Sequence, residues 1–198
     1  MTDVLYFDTD CISAFLWVKA EHILTTLHSR NMVIPQQVYD ELSNPYTPHL
    51  KERVDRIITN GDISVKSILT GTSEFSLYTK LTNSPDEGRS IIGRGEASVI
   101  SLASTSGGII ASNNLRDVKS YALDLGLRHI TTGDILIKAY ETSLITENDG
   151  NDLWNAMLAK KRKLGPASFT EYLNTNRDKE ARPLESKTEE AHQNCWNS

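Results

Sequence analysis

At 198 residues the chain is long enough for one domain with a substantial core and short for two. Hydrophobic content of 38% and charged content of 24% fit an ordinary soluble globular protein. A formal net charge of -5 argues against a wide basic surface dedicated to nucleic acid, while leaving room for a local basic rim or a partner that brings the positive charge.

In chain order, the apolar run 4–7 predicts a buried first strand. Residues 11–19 and 21–29 have helical character, and 32–34 predicts a second strand stopped by Pro35. Proline suits the first turn of a helix, so 36–42 is expected to follow as one. Asn44-Pro45 and Thr47-Pro48 punctuate a loop. Next come an amphipathic helix over 50–58, a strand over 62–68, a helix over 73–81 and a loop over 83–88. Residues 96–103 predict a core helix opened by Gly93-Arg94-Gly95 and ended by Gly107-Gly108. A strand over 109–111, a helix over 117–125 capped by Gly126, and a short strand at 129–130 follow. Helices are then expected over 131–140, 151–163 and 168–173. From Arg177 onward the chain is polar and aperiodic, which predicts a mobile tail.

Strands alternating with helices imply an α/β fold with a parallel sheet covered on both faces. The expected organisation is one domain over 1–143, a helical extension over 144–176 packed on it, and a polar tail over 177–198. Cys11 lies in an apolar stretch and Cys195 in the polar tail, so no disulfide framework is expected. No basic leader precedes an apolar run, and nothing approaches the roughly 20 apolar residues of a membrane helix. The cytoplasm is therefore the expected compartment.

Four segments carry metal-ligand residue types where elements begin or end. Asp8 closes the first strand, where open α/β sheets place their active sites, although Asp8, Thr9 or Asp10 would equally cap the next helix. The strand-end position favours Asp8, leaving Asp10 to cap the helix at Cys11 or touch a metal-bound water. Glu41 lies on the helix after Pro35, with Val38 and Leu42 as its core residues; Asp40 points about 100° away around that helix. Glu96 begins a helix whose Val99, Ile100 and Ala103 are apolar. Its acidity suits the helix dipole, but near a core edge it needs a partner or a metal. The segment from Ser112 to Asp117 suits a strand-to-helix turn. It also supplies Asn114 or Asp117 as a further oxygen, with Ser112 to orient its neighbours. Arg116 reads as a surface charge or a phosphate contact.

Carboxylates gathered at one crevice repel each other, and a bound cation relieves them. Hard oxygen ligands favour Mg²⁺ or Mn²⁺ over zinc. His22, His28, His49, His129 and His192 form no ligand pattern, and no P-loop, GxSxG or GxGxxG is present. The set reads as a divalent-metal site for phosphodiester chemistry.

These segments resemble the PIN-domain family of metal-dependent nucleases. The resemblance rests on Asp8-Thr9-Asp10 after a strand, a Pro-initiated helix carrying Glu41, Gly95-Glu96-Ala97-Ser98 opening a helix, and the run from Ser112 to Asp117. It spans residues 4–139. It implies a Rossmann-like sheet and a Mg²⁺- or Mn²⁺-dependent endoribonuclease, with many small bacterial relatives serving as toxins of VapBC-type toxin–antitoxin pairs. It also implies that Asp8, Glu41 and Glu96 are acidic ligands. The fourth acidic position falls on Asn114, a departure, and Asp117 would then complete the site. RNA as substrate, an antitoxin partner and a homodimer are implied with it. The segment from Leu144 onward exceeds a minimal toxin and carries Lys160-Lys161-Arg162-Lys163, expected as a solvated helix face or as a contact to RNA phosphates. The rival expectations are a catalytically weak PIN-like scaffold that binds RNA or protein, and a phosphatase-like metal hydrolase on a similar sheet.

Overall fold

The structure, a computed structural model, describes residues 3–114, 116 and 118–181. Its centre is an all-parallel sheet of five strands: β1 (Leu5–Phe7), β2 (Met32–Pro35), β3 (Ile63–Lys66), β4 (Ile109–Ala111) and β5 (Arg128–Ile130). The spatial order is β3-β2-β1-β4-β5. The chain thus builds outward from β1 on one side, then crosses back to β1 and builds outward on the other. The resulting switch point lies between β1 and β4, the place where such sheets form a crevice at their carboxyl ends. Leu5 and Phe7 pair with Ile109 and Ala111, and the Asp8 amide continues the ladder by donating to the Ala111 carbonyl at 2.9 Å.

Helices cover both faces, as the pattern predicts. α1 (Thr9–Trp17) and α2 (Glu21–His28) join β1 to β2; α3 (Gln36–Leu42) and α4 (Pro48–Thr59) join β2 to β3. α5 (Ser73–Asn83) and α6 (Arg94–Ser106) lead into β4, α7 (Val118–Asp124) into β5, and α8 (Thr132–Glu141) follows. α6 is buried along most of its length, from Gly95 and Ala97 to Ala103, because it packs on β1, β2 and β4. It ends where Gly107 takes a left-handed φ of 72°, a conformation that costs a side-chain-bearing residue more than glycine. Phe7, Ile12, Phe15 and Leu16 are sealed between the sheet and the helices.

The extension differs from expectation at its ends. α9 is Glu147–Ala159 rather than 151–163, because Thr146 and Asp149 form a reciprocal capping box that starts the helix four residues earlier. α10 is Phe169–Ala181, so helix continues past Arg177, where the tail was expected; residues 182–198, including Cys195 and His192, lie outside the described residues. The expected strand over 62–68 is shorter, because only residues 63–66 find partners on β2. α9 packs on α1 and α8, and α10 on α8 and α9, around buried Trp154 and Phe169. Among the described residues no helix is long and apolar enough to cross a membrane.

Candidate metal centre

β1 ends at Phe7, and the next residue, Asp8, is the N-cap of α1. Capping and facing the crevice, alternatives in the sequence, are one geometry here. Asp8 Oδ1 accepts from the Thr9 amide at 2.6 Å, and Oδ2 accepts from the Ser112 hydroxyl at 2.8 Å. Asp10 is therefore not the cap, because the helix begins one residue earlier, at Thr9; it is an exposed first-turn residue. Asp8 is 3% exposed, and its carboxyl is pushed up to about 8. Burial is the largest cause, followed by the nearby Glu96 charge; the groups pulling it back down are the Ser112 and Thr9 hydrogen bonds, not cations.

Glu41 reaches the same crevice from α3. That helix begins directly after the Pro35 cap and anchors itself through buried Val38 and Leu42. The Thr9 hydroxyl donates to Glu41 Oε2, so one residue of α1 orients Glu41 by its side chain and Asp8 by its amide. Burial raises the Glu41 carboxyl first; the Thr9 hydrogen bond lowers it, Glu96 and Asp10 raise it further, and Arg94 lowers it. Asp40 accepts from the Gln36 side-chain amide at 2.8 Å. A cleft of about 290 Å³ lined by Gln37, Asp40, Glu41 and Arg94 opens beside it, and Gln37 Oε1 is buried without a hydrogen-bond partner.

Gly95 separates the two carboxylates. A Cβ built there would lie 3.1 Å from Glu41 Oε1 and 3.5 Å from Asp8 Oδ1, so both groups face a space that only glycine leaves open. Glu96, in the first turn of α6, accepts from the Asn114 side-chain amide at 3.1 Å. The Asn114 backbone amide donates to Ser112 Oγ at 3.1 Å, which makes Ser112 the link between Asp8 and Asn114. Asn114 thus presents its nitrogen, not its oxygen, to Glu96. Asp117 lies outside the described residues. Asn113 braces the loop by exchanging hydrogen bonds with Thr132 at 2.9 Å in both directions.

Glu96 thus acts electrostatically on both Asp8 and Glu41, and those two face the same space beside Gly95. Among the described residues no three His, Cys, Asp or Glu side chains converge on one point. The donors nevertheless suit a hard divalent cation in chemistry: they are oxygens, and burial and the Glu96 charge disfavour the ionised form of Asp8, a penalty that a bound cation would relieve. Burial pushes the Cys11 thiol up to about 12, which makes it a core residue rather than a ligand. The sequence offered Thr9 only as a helix cap and Arg162 only as part of a basic run, and gave neither a role beside the carboxylates. A hydroxyl inside Asp8-Thr9-Asp10 was a discernible signal for Thr9; Arg162 reaches Asp10, at 3.9 Å, only through the tertiary fold.

A PIN-domain family model matches residues 4–177. Three solved structures are similar: DNA-bound VapBC from Salmonella typhimurium (16% identity, TM-score 0.48, covering 66% of this chain and 99% of that one), VapBC2 from Rickettsia felis bound to a promoter DNA fragment (14%, 0.47, 65% and 98%), and VapBC-1 from nontypeable Haemophilus influenzae (18%, 0.45, 65% and 98%). No curated protein matches the chain.

Proposed function

The chain belongs to the PIN-domain family, and from that premise we propose that it is a Mg²⁺- or Mn²⁺-dependent endoribonuclease, the toxin of a bacterial type II toxin–antitoxin pair. The observation that carries the nuclease reading is Asp8: a carboxyl group buried at the switch point, raised by burial and by the nearby Glu96 charge, and facing the same space beside Gly95 as Glu41. The toxin role, an antitoxin partner, a homodimer and a cytoplasmic setting are carried over from the VapBC-type proteins that the chain resembles.

Asp8 and Glu41, which face one space beside Gly95, would hold the cation together with Glu96. Asn114 or Asp117 is the proposed fourth position; in the geometry above, Asn114 orients Glu96. A bound Mg²⁺ or Mn²⁺ supplies Lewis acidity, which makes water nucleophilic near neutral pH and offsets charge on the phosphodiester. Ser112 and the Thr9 amide pull the Asp8 carboxyl part of the way back toward the charged form that this role requires, and the Thr9 hydroxyl aims Glu41. No side chain need form a covalent intermediate.

Total RNA incubated with Mg²⁺ or Mn²⁺ tests the proposal, with EDTA and the Asp8→Asn protein as controls. Cutting lost in both controls is the expected result; cutting that survives Asp8→Asn in a folded protein would overturn it. The second reading, a weak or inactive scaffold, is favoured by the amide at Asn114 and by the lack of a three-ligand convergence among the described residues. It predicts no metal-dependent turnover.

A further inference from the structure

We propose that the basic turn after α9, Lys160 to Lys163, is a phosphate-binding rim of the acidic centre that holds the backbone of a single-stranded RNA along α1; this rests on the ribonuclease reading above. The sequence suggested a solvated helix face or a contact to RNA phosphates for this run. The helix instead stops at Ala159, and Lys161 turns the chain with a left-handed φ of 60°, unfavourable for a residue with a Cβ. The turn is held by Lys161 N–H to the Leu158 carbonyl at 2.8 Å and by Arg162 Nε to the Lys160 carbonyl at 3.1 Å.

Two contacts lay this turn along α1. Lys160 Nζ stands 5.5 Å from the ring centroid of Trp17, at the carboxyl end of α1. Arg162 Nη1 donates to Ser13 Oγ at 3.2 Å and lies 3.9 Å from Asp10 Oδ1, in the first turn. Seven residues of helix separate Asp10 from Trp17, a span of about 10 Å. The basic turn therefore runs beside α1 toward the end that carries Asp8 and Thr9. Arg162 is the positioning residue, its charge turned inward to α1. Lys160, Lys161 and Lys163 are exposed and face no carboxylate at ion-pair distance among the described residues.

Charge balance gives this placement its consequence. The chain carries a formal net charge of -5, and Asp8, Asp10, Glu41 and Glu96 gather acidic groups at its centre. An RNA strand approaching that crevice is repelled unless a local positive field draws it in. Three exposed ammonium groups on a turn that Arg162 and Lys160 lay along α1 supply such a field, and phosphates are what they would recognise.

The test uses the full chain carrying Asp8→Asn, so that the probe stays intact, with and without Lys160→Gln, Lys161→Gln and Lys163→Gln together. Fluorescence anisotropy measures binding of a short labelled single-stranded RNA across a salt series. Losing three phosphate contacts should reduce the slope of log K against log salt by about 2, at roughly 0.7 per contact, and weaken binding about tenfold or more near physiological salt. An unaltered melting temperature verifies the fold. An unchanged slope overturns the rim, and the ribonuclease reading survives if the wild-type chain still cuts RNA. No RNA binding with the lysines intact, together with no cutting by the wild-type chain, overturns both.

Discussion

Ser112 donates to Asp8 Oδ2 at 2.8 Å across 104 residues of chain, joining the ends of β4 and β1 at the switch point. Both residues are buried, and the same Ser112 oxygen accepts from the Asn114 amide. Ser112→Ala should therefore do more than remove one hydroxyl. It leaves a buried carboxylate and a backbone N–H each short of a partner, a destabilisation of about 2 kcal/mol. Metal-dependent RNA cleavage should fall at least about tenfold, given that hydrogen bonds to charged groups contribute roughly 1.5–3 kcal/mol. Urea denaturation and single-turnover cleavage measure the two effects; a variant with wild-type values in both would rule out this linkage.

Asp8 also gives the stability of the protein a particular pH dependence. Its carboxyl titrates at about 8 in the fold against 3.8 ordinarily, so between those values the native state keeps a proton that the unfolded chain releases. The Asp8 contribution is thus most favourable below about pH 4 and is lost as pH rises toward 8. In EDTA, urea midpoints of the wild-type chain should fall relative to those of Asp8→Asn as pH climbs through that window. Saturating Mg²⁺ should raise the wild-type midpoint near pH 8 and leave Asp8→Asn unmoved. Parallel curves for the two proteins would show that Asp8 is not the source.

Gly95 offers a test of the space that Asp8 and Glu41 share. Alanine there brings a methyl to 3.1 Å from Glu41 Oε1, which the side chain of Glu41 can relieve only by swinging away. Helix propensity favours alanine by about 1 kcal/mol, so Gly95→Ala should melt no lower than wild type in EDTA. Divalent-metal affinity, measured by calorimetry, should drop about tenfold, an order-of-magnitude figure for a displaced ligand partner. Unchanged affinity would mean that the cation sits elsewhere.

Tyr172 of α10 ties the extension to α8. Its hydroxyl donates to Asp134 Oδ1 at 2.8 Å and meets Thr131 Oγ1 at 2.8 Å, both residues of the box that caps α8. Its ring lies against Gly133, where a Cβ would collide with it. Burial drives the Tyr172 hydroxyl well above its ordinary value, so it stays protonated as a donor at any working pH. Tyr172→Phe should cost about 1 kcal/mol of stability in urea denaturation, with RNA cleavage retained. A loss of cleavage without a loss of stability would instead place Tyr172 in the chemistry.

Much of this was legible without coordinates. Apolar runs such as Val4 to Phe7 and the Pro35–Leu42 boundary follow local rules of periodicity and capping, so the strands, most helices and the parallel α/β class were apparent from residue order. Asp8, Glu41 and Glu96 likewise stood out as candidates, because each lies near the end of an element. Only the tertiary structure decided their relation to one another. That Asp8 is at once cap and crevice carboxylate depends on Ser112, 104 residues away. That Asn114 turns its nitrogen to Glu96 depends on how α6 packs across β1 and β4. That Arg162 reaches Asp10 depends on α9 docking against α1. Helix starts and strand ends are written in a few neighbouring residues. Hydrogen bonds and charge contacts between distant segments exist only after the core has fixed the distances, and those distances set the chemistry of the site.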